Sequence, residues 1–338
     1  MPIVYPVGTF ARARALVAAL WRRPLLRGGI ELAVGLIVAG VCAFAVRDEW
    51  GKAAPRLEDA NLGWVALALG TVAAYYLVFV LGWVRILAGL GIKTSYTAAL
   101  QSEMISMLAK YIPGGVWTPA ARVAAFERLT GVTARGTVLA SILVEAILSA
   151  LSGVAVFVLS LAWVHNVDAP LVPLVLFGVL CVLLLHPRIF SRVSKRLLRP
   201  FGLREFEPLP LETMIVLFLF YCFTWIIGGF GVLFLIRSLG RSPPLETIPF
   251  LGGTAAIGAI VAVLAVFAPS GLGVREASMY GLLIAVTSRS VALGATVLNR
   301  LAITVVELTL AACGVVLWRL RKRGVTRELI PDSQPAER

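Results

Sequence analysis

The sequence predicts an all-α polytopic membrane protein, with about six transmembrane helices and two re-entrant helical hairpins in an inverted repeat. Of its 338 residues, 59% are hydrophobic and only 14% are charged. Soluble domains are roughly 45–50% apolar and about 25% charged. Several apolar runs reach the about 20 residues that a helix needs to cross the bilayer core. Two further apolar stretches are interrupted by proline and glycine beside a basic residue.

The elements follow in chain order. Residues 1–27 are rich in arginine and form a predicted cytoplasmic amphipathic N-terminus, residues 28–320 form a single membrane domain, and residues 321–338 form a cytoplasmic tail. The predicted full spans are residues 28–46, 62–87, 137–164, 171–185, 211–236 and 291–318. The interrupted stretches, residues 95–130 and 245–287, are the predicted hairpins, because the apolar pieces flanking the first break are too short to span.

The net charge of +13 follows the membrane topology. Lysine and arginine crowd the N-terminus, residues 188–204 and the tail, and the positive-inside rule places such segments in the cytoplasm. This explains the charge without nucleic acid, which we do not expect as a partner. We predict a multi-pass protein of the bacterial plasma (inner) membrane with both termini cytoplasmic.

The two interruptions read KYIPGGVWT at residues 110–118 and FAPSGLGVR at residues 267–275. Proline removes a backbone donor and disfavours helix before it, and glycine allows a sharp turn. Each break therefore ends one half-helix and starts another, whose free N–H groups and positive dipole end favour an anion. Lys110 precedes the first break and Arg275 follows the second, so the breaks predict a phosphate site.

A weak internal repeat relates residues 62–164 to residues 211–318. YIPGGV matches FAPSGL, and LVEAILSALSG, which contains Glu145, matches VVELTLAACG, which contains Glu307. The predicted topology inverts the two halves, because the first hairpin enters from the cytoplasm and the second from outside. Inverted repeats with discontinuous helices are typical of transporters that bind substrate near the bilayer midplane.

The candidate site comprises the two breaks and the charges predicted within the membrane. The predicted substrate-binding residues are Lys110, Pro113, Gly114, Gly115, Arg122, Pro269, Gly271, Gly273, Arg275 and Arg300. The predicted charge partners are Glu103, Glu145, Glu276 and Glu307. Intramembrane charges indicate function, although internal salt bridges are the alternative for each.

Three of these charges carry further expectations. Arg300 and Glu307 lie about two turns apart on one helical face, so we expect pairing with Glu145 or with other groups across the bundle. Glu276 lies in a first helical turn, where the dipole alone favours an acid. Four aromatic residues, Trp64, Tyr75, Tyr76 and Trp83, are interpreted as interfacial belt and packing residues. The sequence predicts no metal site, no P-loop and no cofactor.

The motifs PGGVWTPAAR and APSGLGVREA resemble the membrane domain of the lysylphosphatidylglycerol synthase family, also called flippase-like. The second motif is the more specific one. The first motif departs from the family pattern, because it has Trp117 and Thr118 where a Gly-Asp-like pair is expected. No acidic role is therefore expected at that position. The resemblance covers residues 28–320. The chain ends about 20 residues after its last span, so it is similar to a stand-alone membrane domain without the transferase domain of bifunctional members.

The resemblance implies a flippase that moves an aminoacylated phospholipid, or another lipid with an anionic or polar headgroup, between leaflets, and not an enzyme. The alternatives are a membrane-embedded transferase acting on a lipid carrier and an accessory subunit of a lipid synthase. The expected partners are membrane lipids with phosphate headgroups. A lipid-synthesising enzyme and a second copy of the chain are compatible further partners. The lipid, the transport direction, the energy coupling and the oligomeric state stay open.

Overall fold

The computed structural model describes residues 58, 60–111, 117–164, 171–198, 209–265 and 273–328. The predicted N-terminus at 1–27, the span at 28–46 and the central prolines and glycines of both breaks lie outside these residues. All described residues belong to one compact unit, residues 46–338. Every regular element among them is helical, which confirms the predicted all-α class.

Ten α-helices and two 3₁₀ segments account for the regular structure of the described residues. The first group is α1 (Leu62–Gly89), α2 (Tyr96–Ser106) with a 3₁₀ continuation (Met107–Tyr111), α3 (Trp117–Thr130) and α4 (Arg135–Ser160). Helices α5 (Leu171–Leu185) and α6 (Pro187–Leu198) follow. The second group is α7 (Leu211–Ser238), a 3₁₀ turn (Leu245–Thr247) leading into α8 (Ile248–Leu264), α9 (Val274–Leu283) and α10 (Arg289–Glu328).

Within the described residues, five segments are long and apolar enough to cross a membrane: Leu62–Gly89, Arg135–Ser160, Leu211–Ser238, Leu245–Leu264 and Arg289–Leu317. Four of them coincide with predicted full spans. The predicted span at 171–185 is a 15-residue helix, about 22 Å long and therefore shorter than the ~30 Å hydrocarbon core. Leu245–Leu264, predicted as one arm of a hairpin, is long enough to cross by itself. The chain is thus a multi-pass membrane protein with a different set of long helices from the predicted set.

Large apolar side chains cover the outer faces of these helices. On α5, Val172, Leu176 and Val182 are more than half exposed, and on α7 Leu219 and Phe223 are too. A soluble monomer rarely exposes such a continuous apolar surface. These faces fit contact with lipid tails, which place no penalty on exposed apolar side chains.

Helices α1 and α7 pack side by side and run antiparallel. The backbone N–H of Asn61, which precedes α1, donates to the carbonyl of Ser238 at the end of α7 over 2.9 Å. The Asn61 side chain also caps α1 by accepting from the N–H groups of its first turn. At the opposite ends, Leu209, just before α7, packs closely against Gly89, the last residue of α1. The first long helices of the two groups therefore point in opposite directions.

Each group also has a helix that packs on a helix of the other group. Helix α8 packs antiparallel on α4, with Gly253 against Phe157 and Ala256 against Gly153. Helix α2 packs antiparallel on α10, where Met104 touches Gly314. The two arrangements correspond, since α2 and α8 hold the same place in the order of their groups, as do α4 and α10.

Glycines bring α7 and α8 unusually close together. A Cβ atom added to Gly252 would lie 2.2 Å from the carbonyl oxygen of Trp225, and one added to Gly229 would lie 2.3 Å from that of Ile248. Small residues are the usual means by which membrane helices approach each other's backbones. This contact fixes α8 firmly against α7.

Candidate functional site

A cavity of about 210 Å³ lies between the two groups of helices. Its walls come from α1, α2, α7, α8, α9 and α10: Val72, Tyr75, Tyr76, Phe79, Glu103, Trp225, Gly228, Ala255, Ala259, Arg275, Asn299 and Ile303. Tyr75 and Tyr76 lie halfway along α1, Trp225 halfway along α7, and Ile303 halfway along the spanning part of α10. The cavity is therefore at mid-depth of the spanning helices.

Aromatic rings form one wall of the cavity. The ring of Tyr75 lies 5.4 Å from that of Tyr76, 5.6 Å from that of Phe79 and 5.7 Å from that of Trp225, between centroids. The Trp225 indole N–H donates to the carbonyl of Ser149 on α4 over 2.8 Å, which holds the ring in place. Such a wall can bind apolar groups, and its faces can bind a cation.

Arg275 provides the positive charge of the cavity wall. It lies in the first turn of α9 and has no carboxylate within ion-pair distance among the described residues. Its buried Nε has no hydrogen-bond partner in that part of the chain either. Gly258 on α8 gives the side chain room, because a Cβ there would lie 3.4 Å from the Cγ of Arg275 and 2.8 Å from that of Met279. The cavity thus presents a guanidinium suited to an anion.

Arg122 on α3 lies behind the cavity between two carboxylates. Its Nε is 2.6 Å from Glu103 on α2, and its Nη1 donates to Glu145 on α4 over 2.6 Å. The hydroxyl of Tyr221 on α7 donates to the other Glu145 oxygen over 3.3 Å. The guanidinium also stacks 3.7 Å above the buried ring of Trp83. Glu103 is shared, since it pairs with Arg122 and also lines the cavity.

Glu307 on α10 receives two groups from the first half of the chain. Lys110, at the end of the 3₁₀ segment after α2, forms an ion pair with one of its oxygens, and the hydroxyl of Tyr76 on α1 donates to the other. The Glu307 side chain is 4% exposed and that of Lys110 is 23% exposed, so the carboxylate is withdrawn from solvent while the lysine is partly accessible. This contact connects the residue before the first break to the last spanning helix.

Glu276 organises the start of α9. One carboxylate oxygen accepts from the backbone N–H of Gly273 over 2.6 Å, and the other lies 3.7 Å from the Nε of Arg300 on α10. Gly273 has φ 81°, a conformation that glycine adopts without strain. Glu276 thus caps α9 through a backbone contact, in addition to the dipole effect expected for an acid in a first turn.

The buried pairs can be compared with one at the surface. Arg135, the first residue of α4, donates two hydrogen bonds to Glu127 on α3, over 2.7 and 2.9 Å. These bonds lower the pKa of Glu127, and the Arg135 side chain is 62% exposed. An exposed pair of this kind contributes little to stability. It provides a matched control for changes to the buried carboxylates.

Replacing Tyr76 by phenylalanine is expected to destabilise the protein by about 1.5–3 kcal/mol, because a buried carboxylate loses a hydrogen-bond donor. The measurement is thermal unfolding in detergent micelles. Tyr280→Phe is the control, since the Tyr280 hydroxyl has no hydrogen-bond partner among the described residues. Equal melting temperatures for the two variants would show that the Glu307 contact contributes nothing.

The structure pairs the charges predicted from the sequence with groups across the bundle, the second of the two expected alternatives. Arg300 lies near Glu276, and Glu307 pairs with Lys110. Glu145 pairs with Arg122. Of the charged candidates, Glu103 and Arg275 line the cavity, and Gly273 precedes α9. The remaining candidates lie outside the described residues: Pro113, Gly114, Gly115, Pro269 and Gly271. No group of three His, Cys, Asp or Glu side chains in the described ranges could hold a metal ion.

The main residues that the sequence interpretation missed are aromatic. Tyr75 and Tyr76 line the cavity and do not form an interfacial belt, whereas Trp64 stacks on Phe234 and Trp83 is buried in packing. The sequence position of these tyrosines could have indicated a site. Tyr75 and Tyr76 lie in the middle of an apolar run, whereas residues of an interfacial belt lie at its ends. Trp225 had the same signal in α7.

The fold and the cavity define a multi-pass helical membrane protein with a buried, charged site between its spanning helices. The chain belongs to the family described as the lysylphosphatidylglycerol synthase TM region, which matches residues 30–311. The resemblance of its two broken motifs to that family is thereby confirmed. Membership relates the chain to membrane lipids. A search among curated proteins finds no match to it.

Proposed function

We propose that this protein is a lipid flippase that moves a lipid with a phosphate-bearing polar headgroup between the two leaflets. The observation that carries the proposal is the mid-depth cavity in which Arg275 has no carboxylate partner among the described residues. A charge held at this depth is costly unless it serves a ligand or a pathway. The headgroup would pass through the cavity with its phosphate on Arg275.

The arrangement of helices supports alternating access around this cavity. We propose that the two helix groups form an inverted repeat with one re-entrant hairpin in each. In the first hairpin the helix ends at Tyr111 and the next begins at Trp117; in the second the helix ends at Leu264 and the next begins at Val274. The antiparallel course of α1 and α7 is what an inverted repeat requires, and the exchange of α2 and α8 between the halves is consistent with it. Transporters of this architecture hold substrate where the repeats meet.

The chemistry of the cavity favours a headgroup. A guanidinium binds phosphate oxygens in a bidentate manner. The volume of about 210 Å³ is below the about 300–1,000 Å³ of pockets for drug-sized ligands. It therefore admits a headgroup and leaves the acyl chains in the bilayer. Glu103 and the aromatic wall lie in the same cavity as Arg275, and they suit an amine on an aminoacylated headgroup.

The cellular setting is also part of the proposal. We place the protein in a bacterial plasma membrane with both termini in the cytoplasm, on the distribution of lysine and arginine. In that orientation α1 runs inwards and α7 outwards, in agreement with their antiparallel packing. Membrane lipids with phosphate headgroups are then available from both leaflets.

The test is lipid exchange in vesicles that contain the purified protein. Fluorescent phosphatidylglycerol is placed in both leaflets, and the fraction that an external reductant quenches reports movement between them. Wild-type protein is expected to raise the rate, and Arg275→Ala to lower it at least about tenfold, since a charge-assisted contact contributes about 1.5–3 kcal/mol. Arg275→Lys should restore part of the rate, because lysine keeps the charge but loses the bidentate fork.

Arg289→Ala is the control for charge removal, because Arg289 is exposed at the start of α10. Its exchange rate should equal that of wild type. Equal rates with and without protein, for phosphatidylglycerol, its lysyl ester and a polyprenyl phosphate, would overturn the proposal. If lipid exchange is absent and product forms from an activated donor, the transferase alternative is favoured. If both activities are absent, the accessory-subunit alternative is favoured.

A further inference from the structure

We propose that the cluster of Glu103, Arg122 and Glu145 is a proton-binding site that couples proton uptake to binding of the anionic headgroup. The inference rests on the proposed function, because it assigns an energy source to the same cavity. It begins from the charge balance of the cluster, in which one guanidinium faces two carboxylates.

The cluster carries one negative charge too many when both acids are ionised. Arg122 and Glu145 are 5% and 2% exposed, so solvent does not compensate this charge. Two carboxylates that share one site in a medium of low dielectric constant take up a proton more readily than an isolated one. The two carboxylates share Arg122, so we assign the proton to the pair and not to one residue.

The two carboxylates are held differently. Glu145 accepts an aligned hydrogen bond from Arg122 on one oxygen and a second one from Tyr221 on the other, so both of its oxygens have a donor. Glu103 lies 2.6 Å from Nε of Arg122, but the N–H direction is not aligned with it, and the contact is an ion pair only. Glu103 is also the member of the cluster that reaches the cavity. Protons therefore have a path between the cavity and the buried pair.

Charged and titratable groups from several helices face the pair. Besides Arg122 on α3 they are Tyr221 on α7, Tyr75 on α1 and, across Tyr75, Arg275 on α9. Tyrosine is neutral near pH 7. Arg275 and Glu103 both line the cavity, so an anion bound to Arg275 lies in the same cavity as one acid of the cluster.

An anionic headgroup changes this balance. When its phosphate binds Arg275, negative charge enters the cavity that Glu103 also lines, and this adds to the excess negative charge of the cluster. Uptake of one proton by the pair restores neutrality. Because linkage is reciprocal, protonation of the pair must strengthen headgroup binding by the same factor. Proton and headgroup then cross the membrane together, and a pH gradient drives the lipid.

The test measures binding of dihexanoyl phosphatidylglycerol to the protein in detergent from about pH 8 to about pH 5.5. Where one proton is taken up on binding, the affinity is expected to rise by up to about tenfold for each pH unit of acidification. Calorimetry in buffers of different ionisation enthalpy should give uptake of close to one proton for each lipid bound. Glu103→Gln and Glu145→Gln should remove most of the pH dependence.

Glu127→Gln is the matched control, because it removes a carboxylate from the exposed pair with Arg135 on the same two helices as Arg122 and Glu145. It should keep the wild-type slope. A pH-independent affinity in wild type, or an unchanged slope in both buried variants, would overturn the coupling even if the lipid binds. Absence of binding at every pH, with no difference between wild type and Arg275→Ala, would count against the proposed function itself. Size-exclusion profiles identify variants that fail to fold.

Discussion

Replacing Arg122 by methionine is expected to destabilise the protein by about 3–5 kcal/mol, because removal of one member of a buried ion pair leaves an uncompensated charge. Here two carboxylates, Glu103 and Glu145, would lose their shared partner at once. The ring of Trp83 would lose its cation as well. We expect a lower melting temperature in detergent and a lower yield of folded protein.

The same reasoning predicts a rescue. The triple change Arg122→Met, Glu103→Gln and Glu145→Gln removes all the charge and should recover most of the lost stability, since an uncharged buried set is often as stable as an ion pair. Arg135→Met is the control and should leave the melting temperature close to that of wild type, because its ion pair with Glu127 is exposed. Equal melting temperatures for Arg122→Met and Arg135→Met would contradict the buried character of the cluster.

Replacing Gly252 by valine is expected to separate α7 from α8. Its Cβ would lie 2.2 Å from the carbonyl oxygen of Trp225, a backbone atom that cannot turn aside. Overpacking in a core costs about 1–3 kcal/mol, and we expect the upper end or more because the obstacle is backbone. Trp225 and Ala255 line the cavity on these helices, so the proposed lipid exchange should fall together with stability.

Gly70→Val provides the comparison for Gly252. Gly70 is also a glycine inside a spanning helix, but it is exposed and a Cβ there meets no atom within 4 Å. Thermal unfolding of the two variants in the same detergent isolates the effect of the close contact from that of valine in a helix. A loss of stability as large in Gly70→Val as in Gly252→Val would show that helix approach is not the cause.

Hydropathy predicted the long helices well because one local property decides them. Residues 62–87, 137–164, 211–236 and 291–318 needed only boundary corrections of a few residues. Hydropathy also marked the helices at 171–185 and 245–264, but it did not give their lengths: the first has 15 residues, and the second segment is long enough to cross a membrane. Helix length depends on where the turns fall, which hydropathy alone does not give.

The charged residues of the site could be predicted, but their partners could not. A Lys, Arg or Glu within an apolar run is unusual enough to mark a candidate site residue. This criterion identified Lys110, Arg122 and Arg275. Pairing depends on contacts between residues far apart in sequence, such as Lys110 with Glu307. Composition carries no information about such contacts. For the same reason the sequence could not separate Arg275 from the basic residues that pair with carboxylates.

The packing of α2 and α8 across the two halves has a consequence for assembly of the chain. Helix α2 packs on α10, and α8 packs on α4, so each half leaves apolar surface uncovered when the other is absent. Fragments made by cutting the gene between codons 198 and 209 should be degraded when produced singly. When both fragments are produced in one cell, they should assemble and restore a functional protein.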